Sequence, residues 1–327
     1  MRARAHQHEQ TLGRERLAVE LARRHYLDDE SMSDLATVFG ISRSTVSRLI
    51  ALAHERHWVR ITIVDPHHHE TESARYLRER FDLHSVVAVA QGATDDVVDA
   101  VGRRAAEFML ATIEDHQTVG VAWGTTTRAV AAWLRPTDRV GCTVVQLNGA
   151  GSPEDLAVDY SMHILGQFSS AWNAIVVYFP VPAFFDSAGT RTALWKERSI
   201  RRVLRAQRSC DVAVFSVGST NAQPPSRVYA AGYLSTVERR QLQADGAVGD
   251  IATHFYDGTG RTDRIHMNAR ASGIRPDALR KIPERCCVAA GVGKTEALAG
   301  ALRGGYVTTL IADSALIDSA AAACRAD

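Results

Sequence analysis

Lysine is nearly missing from this chain, with only Lys196, Lys281 and Lys294 against thirty-five arginines. Net charge is missing too. The 38 basic and 37 acidic side chains leave +1, so any attraction to nucleic acid or a membrane surface must come from local asymmetry. Cysteine is scarce and odd in number. Cys142, Cys210, Cys286, Cys287 and Cys324 contain no C-x-x-C pair, which argues against a disulfide framework or a zinc ribbon and leaves small buried hydrophobes of a reducing compartment. Long apolar runs are lacking as well. The most apolar stretch, Ala171 to Phe185, is interrupted by Asn173, Pro180 and Pro182 and is shorter than the roughly 20 residues of a membrane span. The N-terminus mixes Arg2, Arg4, His6, His8 and Glu9 with no apolar run behind them, unlike a secretory signal. A cytoplasmic protein without a membrane partner is expected.

Catalytic signatures are absent in the same way. His54-Glu55-Arg56-His57 misses the zinc-protease spacing, because the fifth position is Trp58. His67, His68 and His69 stand without nearby cysteines or paired acids and read as a solvated linker. No G-x-S-x-G elbow occurs. Gly293-Lys294-Thr295 looks like the end of a phosphate-binding P-loop, but the first glycine of that motif would fall at Val288. No metal, cofactor or catalytic residue is therefore expected.

What is present divides in two. A length of 327 residues suggests about two domains, and 46% apolar content is enough for sizeable cores. Up to Val64 the apolar residues repeat with helical period. Leu17 and Leu21 lie one turn apart in a first helix, and Ser31 with Asp34 makes an S-x-x-D cap for a second. Leu35, Ala36 and Phe39 give that helix an apolar face, and Gly40 can turn the chain with positive φ. Ser42 caps a third helix, buried through Val46, Leu49, Ile50 and Ala53. This is the pattern of a helix-turn-helix. It would present Ser42, Arg43, Ser44, Thr45, Ser47 and Arg48 to the major groove of duplex DNA, where arginine reads guanine edges and hydroxyls bind phosphates or bases. From Gly40 to Val64 four arginines face one glutamate, a local +3 that supplies the phosphate affinity the whole chain lacks. Trp58 to Val64 reads as a short strand or wing. The expected organisation is a winged helix-turn-helix at 1–64, a linker at 65–70 and a second domain at 71–327.

Beyond the linker, strands alternate with helices. Candidate strands are Val86 to Ala90, Val119 to Trp123, Thr143 to Leu147, Ala174 to Phe179, Val212 to Val217, Ile251 to Tyr256, Cys287 to Ala290 and Tyr306 to Ile311, with helices such as Asp95 to Ile113 and Ser199 to Arg208 between them. The pattern predicts an α/β fold with a largely parallel sheet. Three glycine-containing loops follow strands, at Gly124-Thr125-Thr126, at Gly218-Ser219-Thr220 and at Gly291 to Thr295. Loops at the carboxyl ends of parallel strands are where such sheets bind ligands. The first opens a helix to about Leu134, so its amides and hydroxyls could hold a phosphate or sugar hydroxyls, or simply cap the helix. Lys294 places a compact ammonium in the third loop, suited to an anion or a sugar oxygen if it is not merely solvated. Asp250, after Gly249, suits either sugar hydroxyls or a turn.

Together these residues resemble the SorC-type sugar-responsive transcriptional regulators over nearly the whole chain. The resemblance rests on Leu35-Ala36 to Leu49, Val121-Ala122-Trp123-Gly124-Thr125-Thr126, Val144-Val145-Gln146-Leu147-Asn148-Gly149, Val217-Gly218-Ser219, Gly249-Asp250-Ile251, and Lys294 followed by Ala301 to Ile311. It implies a Rossmann-like second domain similar to the sugar-phosphate isomerases and deaminases, and a homotetramer or dimer. It further implies that a small carbohydrate effector sits at Gly124, Thr125, Thr126, Gly218, Asp250 and Lys294, and changes affinity for a double-stranded operator. The competing expectation is an isomerase- or deaminase-like enzyme carrying a DNA-binding module. Two departures stand out: Ala290 stands where the first of two glycines before the lysine is frequent, and Asp313-Ser314 replaces a usual Asp-Glu near the C-terminus.

Overall fold

The computed structural model describes residues 2–56, 58–59, 70–90, 96–152, 158–222, 225–230 and 232–326. The chain forms two compact units, Met1–His69 and Glu70–Asp327.

The first unit is built from α1 (Arg2–Leu27), α2 (Met32–Phe39) and α3 (Arg43–Glu55). Its core is small: Ala18, Leu21 and Ala22 from α1 meet Leu35 from α2 and Val46, Leu49, Ile50 and Ala53 from α3. These positions repeat at three- and four-residue intervals, so each helix offers one apolar stripe. Local chemistry sets the helix ends. Ser31 Oγ accepts the Asp34 amide at 3.2 Å and donates to Asp34 Oδ2 at 2.7 Å. Gly40 stops α2 at φ 64°, a left-handed conformation that costs glycine little, and Ile41 N–H reaches back to the Ala36 carbonyl at 3.0 Å. Ser42 then starts α3 by accepting the Thr45 amide at 3.1 Å. The three-residue turn bends the chain by 106° between α2 and α3, within the range of a helix-turn-helix supersecondary unit. The expected wing and linker fall largely outside the described residues.

Among its described residues the second unit has ten strands: β1 (Ser85–Val89), β2 (Thr118–Val121), β3 (Thr143–Gln146), β4 (Ile175–Val177), β5 (Val212–Phe215), β6 (Val217–Gly218), β7 (Ala247–Ile251), β8 (His254–Asp257), β9 (Glu284–Ala289) and β10 (Thr309–Asp313). Seven of them pair in parallel in the order β1-β10-β9-β5-β2-β3-β4. The α/β class with a largely parallel sheet is the one expected. Side chains alternate between two cores. Val119, Val121, Val144, Val214, Cys286, Val288 and Ile311 enter one, while Val145, Ala213, Phe215, Cys287, Ala289, Leu310 and Ala312 enter the other. All five cysteines are free and buried. From β2 the chain winds outward through β3 to β4, and from β5 it winds the other way through β9 and β10. The boundary between β2 and β5 is thus the topological switch point, where a crevice opens above the carboxyl ends of the strands.

Three strand assignments need correction. The apolar run Ile251 to Tyr256 is a hairpin, β7-β8, turning at Ala252 (φ 48°) and Thr253 (φ 70°). Neither residue is a glycine or asparagine, so no turn signal marks the reversal. The run Val212 to Val217 breaks at Ser216, and its last residue joins the small antiparallel sheet β6-β7-β8. Tyr306 and Val307 lie before β10 rather than in it, buried as part of the core.

Candidate functional site

In the first unit, Ser42, Arg43, Ser44, Ser47 and Arg48 are exposed on the early turns of α3. Thr45 is half-buried, and its hydroxyl is engaged with Ser42 Oγ at 2.8 Å, so it serves the cap as well as the surface. Arg48 Nε donates to the Ser44 carbonyl at 3.3 Å, which steers its guanidinium along the same face. Five exposed polar side chains and the half-buried Thr45 make up this face.

In the second unit, the loops after β2, β5 and β9 and the turn after β7 surround a cavity of 390 Å³. Gly124, Thr125, Thr126, Gly218, Asp250 and Lys294 all line it. Each loop is held by specific bonds. Gly124 precedes the helix Thr125–Trp133 and has no side chain to cap it, so the first amides of that helix are left for whatever enters. Gly218 is a glycine because a β-carbon there would overlap the Asp250 carboxylate. Gly291 adopts φ 91° to turn the third loop. Its amide donates to Asp313 Oδ1 at 2.7 Å, while Asp313 Oδ2 accepts the Leu316 amide at 3.0 Å. Asp313, which the sequence did not tie to the site, is therefore part of the cavity's support. Ser219 Oγ fixes the other side of the loop by donating to the Gly293 carbonyl at 2.9 Å.

Lys294 is the centre of the site. It is 8% exposed, and Nζ donates to Thr126 Oγ1 at 3.2 Å and to Ser216 Oγ at 3.0 Å. An ammonium has three donors, so one remains for a ligand. Burial lowers its pKa to about 8, opposed by Cys287, Asp250 and Asp313. Asp250 shows the converse effect. Burial raises its pKa to about 6, against the Thr253 amide, the Lys294 charge and the Tyr229 hydroxyl. Asp250 Oδ2 accepts the Thr253 amide at 3.2 Å, but Oδ1 is buried without a partner. So is Asn148 Oδ1, on another wall of the same cavity. Buried acceptors left open beside a cavity are the natural counterparts of ligand hydroxyls.

Sequence reasoning did not single out Asn148, Ser216 or Arg227, although all three line the cavity. Asn148 stands in the Gln146-Leu147-Asn148-Gly149 segment, where its polarity after an apolar strand was an available signal. Arg227, whose guanidinium lies 4.2 Å from the Tyr160 ring, comes from a segment with no motif. Among the described residues no group of three or more histidine, cysteine or acidic side chains could hold a metal ion. Nor is any single helix among them long and apolar enough to cross a membrane.

Residues 65–320 match the family described as "Putative sugar-binding domain". The chain is 32% identical to the deoxyribonucleoside regulator of Bacillus subtilis (strain 168) over 302 residues, covering 92% of this chain and 95% of the relative. It is 28% identical to the transcriptional regulator LsrR of Escherichia coli (strain K12), covering 97% of each. Among solved structures, a domain of a possible sugar-binding transcriptional regulator from Arthrobacter aurescens TC1 superposes with a TM-score of 0.73 at 37% identity, covering 79% of this chain and all of that one. The full-length sorbitol operon regulator SorC from Klebsiella pneumoniae shares the fold, with a TM-score of 0.76 at 23% identity over 93% of this chain and 97% of that one. These relatives are regulators rather than enzymes, which disfavours the isomerase or deaminase alternative. With the match spanning nearly the entire α/β unit, the chain belongs to the sugar-binding domain family of transcriptional regulators.

Proposed function

We propose that the cavity at the β2-β5 switch point binds a small carbohydrate effector and that the exposed face of α3 reads duplex operator DNA. The observation that carries the first half is Lys294, a buried ammonium with a donor to spare beside the uncapped helix start at Gly124. A phosphate or other electronegative end of the effector is held there by Lys294 and the amides of Thr125 and Thr126. Hydroxyls along the ligand donate to Asp250 Oδ1 and Asn148 Oδ1. No bond need be made or broken for this to regulate. The effector shifts operator occupancy to the extent that it binds the DNA-competent and DNA-incompetent assemblies with different affinity.

The DNA half rests on α3, where Arg43 and Arg48 stand exposed beside three serines and above a packed apolar face. Residues 1–64 are the reading head, 65–70 the linker and 71–327 the effector domain of a cytoplasmic protein. A dimer or tetramer is proposed because recognition helices commonly read paired half-sites. The edge strand β4, with exposed Ile175 and its neighbour Tyr178, offers an open surface for that assembly.

The test is a thermal-shift screen of sugars, polyols and their phosphates against the purified chain, followed by gel shifts on operator DNA with the best compound. A specific ligand raises Tm by mass action and changes the gel shift. Absence of stabilisation by every member of the panel would overturn the effector reading. Steady turnover of the hit, followed by NMR, would instead favour an enzyme.

A further inference from the structure

The helix Arg198–Arg208 concentrates charge of one sign to a degree found nowhere else in the second unit's described helices. Arg198, Arg201, Arg202, Arg205 and Arg208 fall on it, and all five are exposed. Their spacing of three, one, three and three residues puts them on one side of an α-helix. The opposite side, through Ile200 and Val203, is buried against Phe179, Val181 and Phe185. No acidic side chain lies within the helix, and Glu197 stands at its start. Among the described residues none of the five arginines makes a side-chain ion pair or hydrogen bond. Arginines three or four apart repel one another and destabilise the helix that carries them. No ion pair or hydrogen bond among the described residues offsets that repulsion.

We propose that this arginine stripe is a second, sequence-independent contact for the phosphate backbone of duplex DNA. The stripe runs about 15 Å along the helix axis, over which one DNA strand carries about four phosphates. The cations are guanidinium groups throughout, the side chain whose fork pairs with phosphate oxygens. The exposed face is also without an apolar anchor. A helix lying in a membrane interface presents apolar residues to the lipid, and here those residues are already packed inside the domain. A protein interface is centred on buried aromatic or aliphatic anchors, and this face has none to give. Phosphate, which asks only for charge and donors, is the partner that remains.

The inference rests on the reading of the chain as a DNA-binding regulator, but the salt-slope measurement itself needs no operator. Binding of the full-length chain to a duplex of unrelated sequence is followed by fluorescence anisotropy from about 50 to 200 mM salt. The triple variant Arg201→Gln, Arg202→Gln, Arg205→Gln should flatten the log–log salt slope by about 2 to 3, at roughly 0.9 for each phosphate no longer neutralised. The lysine triple Arg201→Lys, Arg202→Lys, Arg205→Lys should restore most of the slope. The single variant Arg205→Gln, at an exposed position, should reduce it by about 1 and guards against a misfolded triple. An unchanged slope in a folded glutamine triple would overturn the proposal. So would an unchanged slope with altered sedimentation, which would make the stripe an interface between protein copies. The Arg43→Ala, Arg48→Ala variant separates the two readings, because loss of operator selectivity there with a retained arginine-stripe slope supports both. Intact selectivity in that variant removes the recognition helix and leaves the stripe standing.

Discussion

The two units treat charge in opposite ways. In the first, the cations of α3 stand in solvent over a core of eight buried residues and have few bonds to their own chain. In the second, one lysine and one aspartate are sunk into a cavity, and burial moves both toward neutral pH. The exposed arrangement leaves side chains free to follow a long polymer and makes binding sensitive to salt. The buried arrangement fixes a few groups around a small molecule and makes binding sensitive to pH. One chain thus carries two sites that answer to different solution variables, and the contrast can be attacked from either side.

The largest effect should come from the small core of the first unit. Leu35→Ala is expected to cost about 2–5 kcal/mol, most of what so few buried residues can supply. Circular dichroism melts should show the first unit unfolding early while effector binding to the second persists. Loss of effector binding along with it would break the comparison by showing that the units do not act separately.

Next in size is the DNA face. Arg43→Ala with Arg48→Ala should remove about 1–3 kcal/mol of discrimination for each base-reading contact, measured by gel shift on operator against unrelated DNA. Effector affinity should stay at the wild-type value. Equal weakening on every sequence would reduce the two arginines to phosphate contacts.

Lys294→Ala should weaken an anionic effector by about 1.5–3 kcal/mol in calorimetry, the range for a charge-assisted hydrogen bond. Operator binding without effector should remain intact, and Thr126→Ala should act in the same direction to a smaller extent. Normal effector response in both variants would remove Lys294 from the site.

The pH dependence sharpens the comparison further. Effector affinity should hold between about pH 6 and pH 8, weakening below as Asp250 protonates and above as Lys294 loses its charge. Stability carries the opposite signs. The folded pKa of Asp250 is raised, so its contribution is present below the unfolded value near 4 and is lost as pH rises through about 6. The folded pKa of Lys294 is lowered, so its contribution is present above the unfolded value near 10.5 and is lost as pH falls through about 8. Ligand-free operator binding should show neither limb. Asp250→Asn should abolish the acidic limb, and an acidic limb that survives it would assign that titration elsewhere. The smallest effect is expected at Ser42→Ala, about 1 kcal/mol of local stability from the lost cap of α3.

Much of this was legible in the sequence wherever local chemistry decides the structure. Ser31, Gly40 and Ser42 act through their own side chains or backbone freedom, so they mark the ends of α2 and α3 without help from the rest of the chain. The parallel strands were legible because burial on both faces demands continuous apolar runs. The β7-β8 hairpin was hidden for the converse reason. Ala252 and Thr253 hold positive φ where tertiary contacts impose it, Thr253 being fully buried with its hydroxyl accepting the Gly273 amide. Of the six expected cavity residues, Gly124, Thr125, Thr126 and Lys294 sit at strand-end loops that glycine announces, while Gly218 and Asp250 face each other across the paired strands β6 and β7. Asn148, Ser216 and Arg227 reach the same cavity through the packing of distant segments, which no local pattern encodes.

The buried cysteines have a practical consequence. Burial pushes the Cys210 and Cys287 thiols up to about 12 and holds Cys286 well above its ordinary value, so at neutral pH these sulfurs are neither reachable nor nucleophilic. A single cysteine introduced at exposed Thr125 or Ser44 would be the preferred target of a maleimide dye, without first stripping the native thiols. The fold thereby supplies its own quiet background for fluorescence reporters, one at the cavity mouth and one on the DNA face.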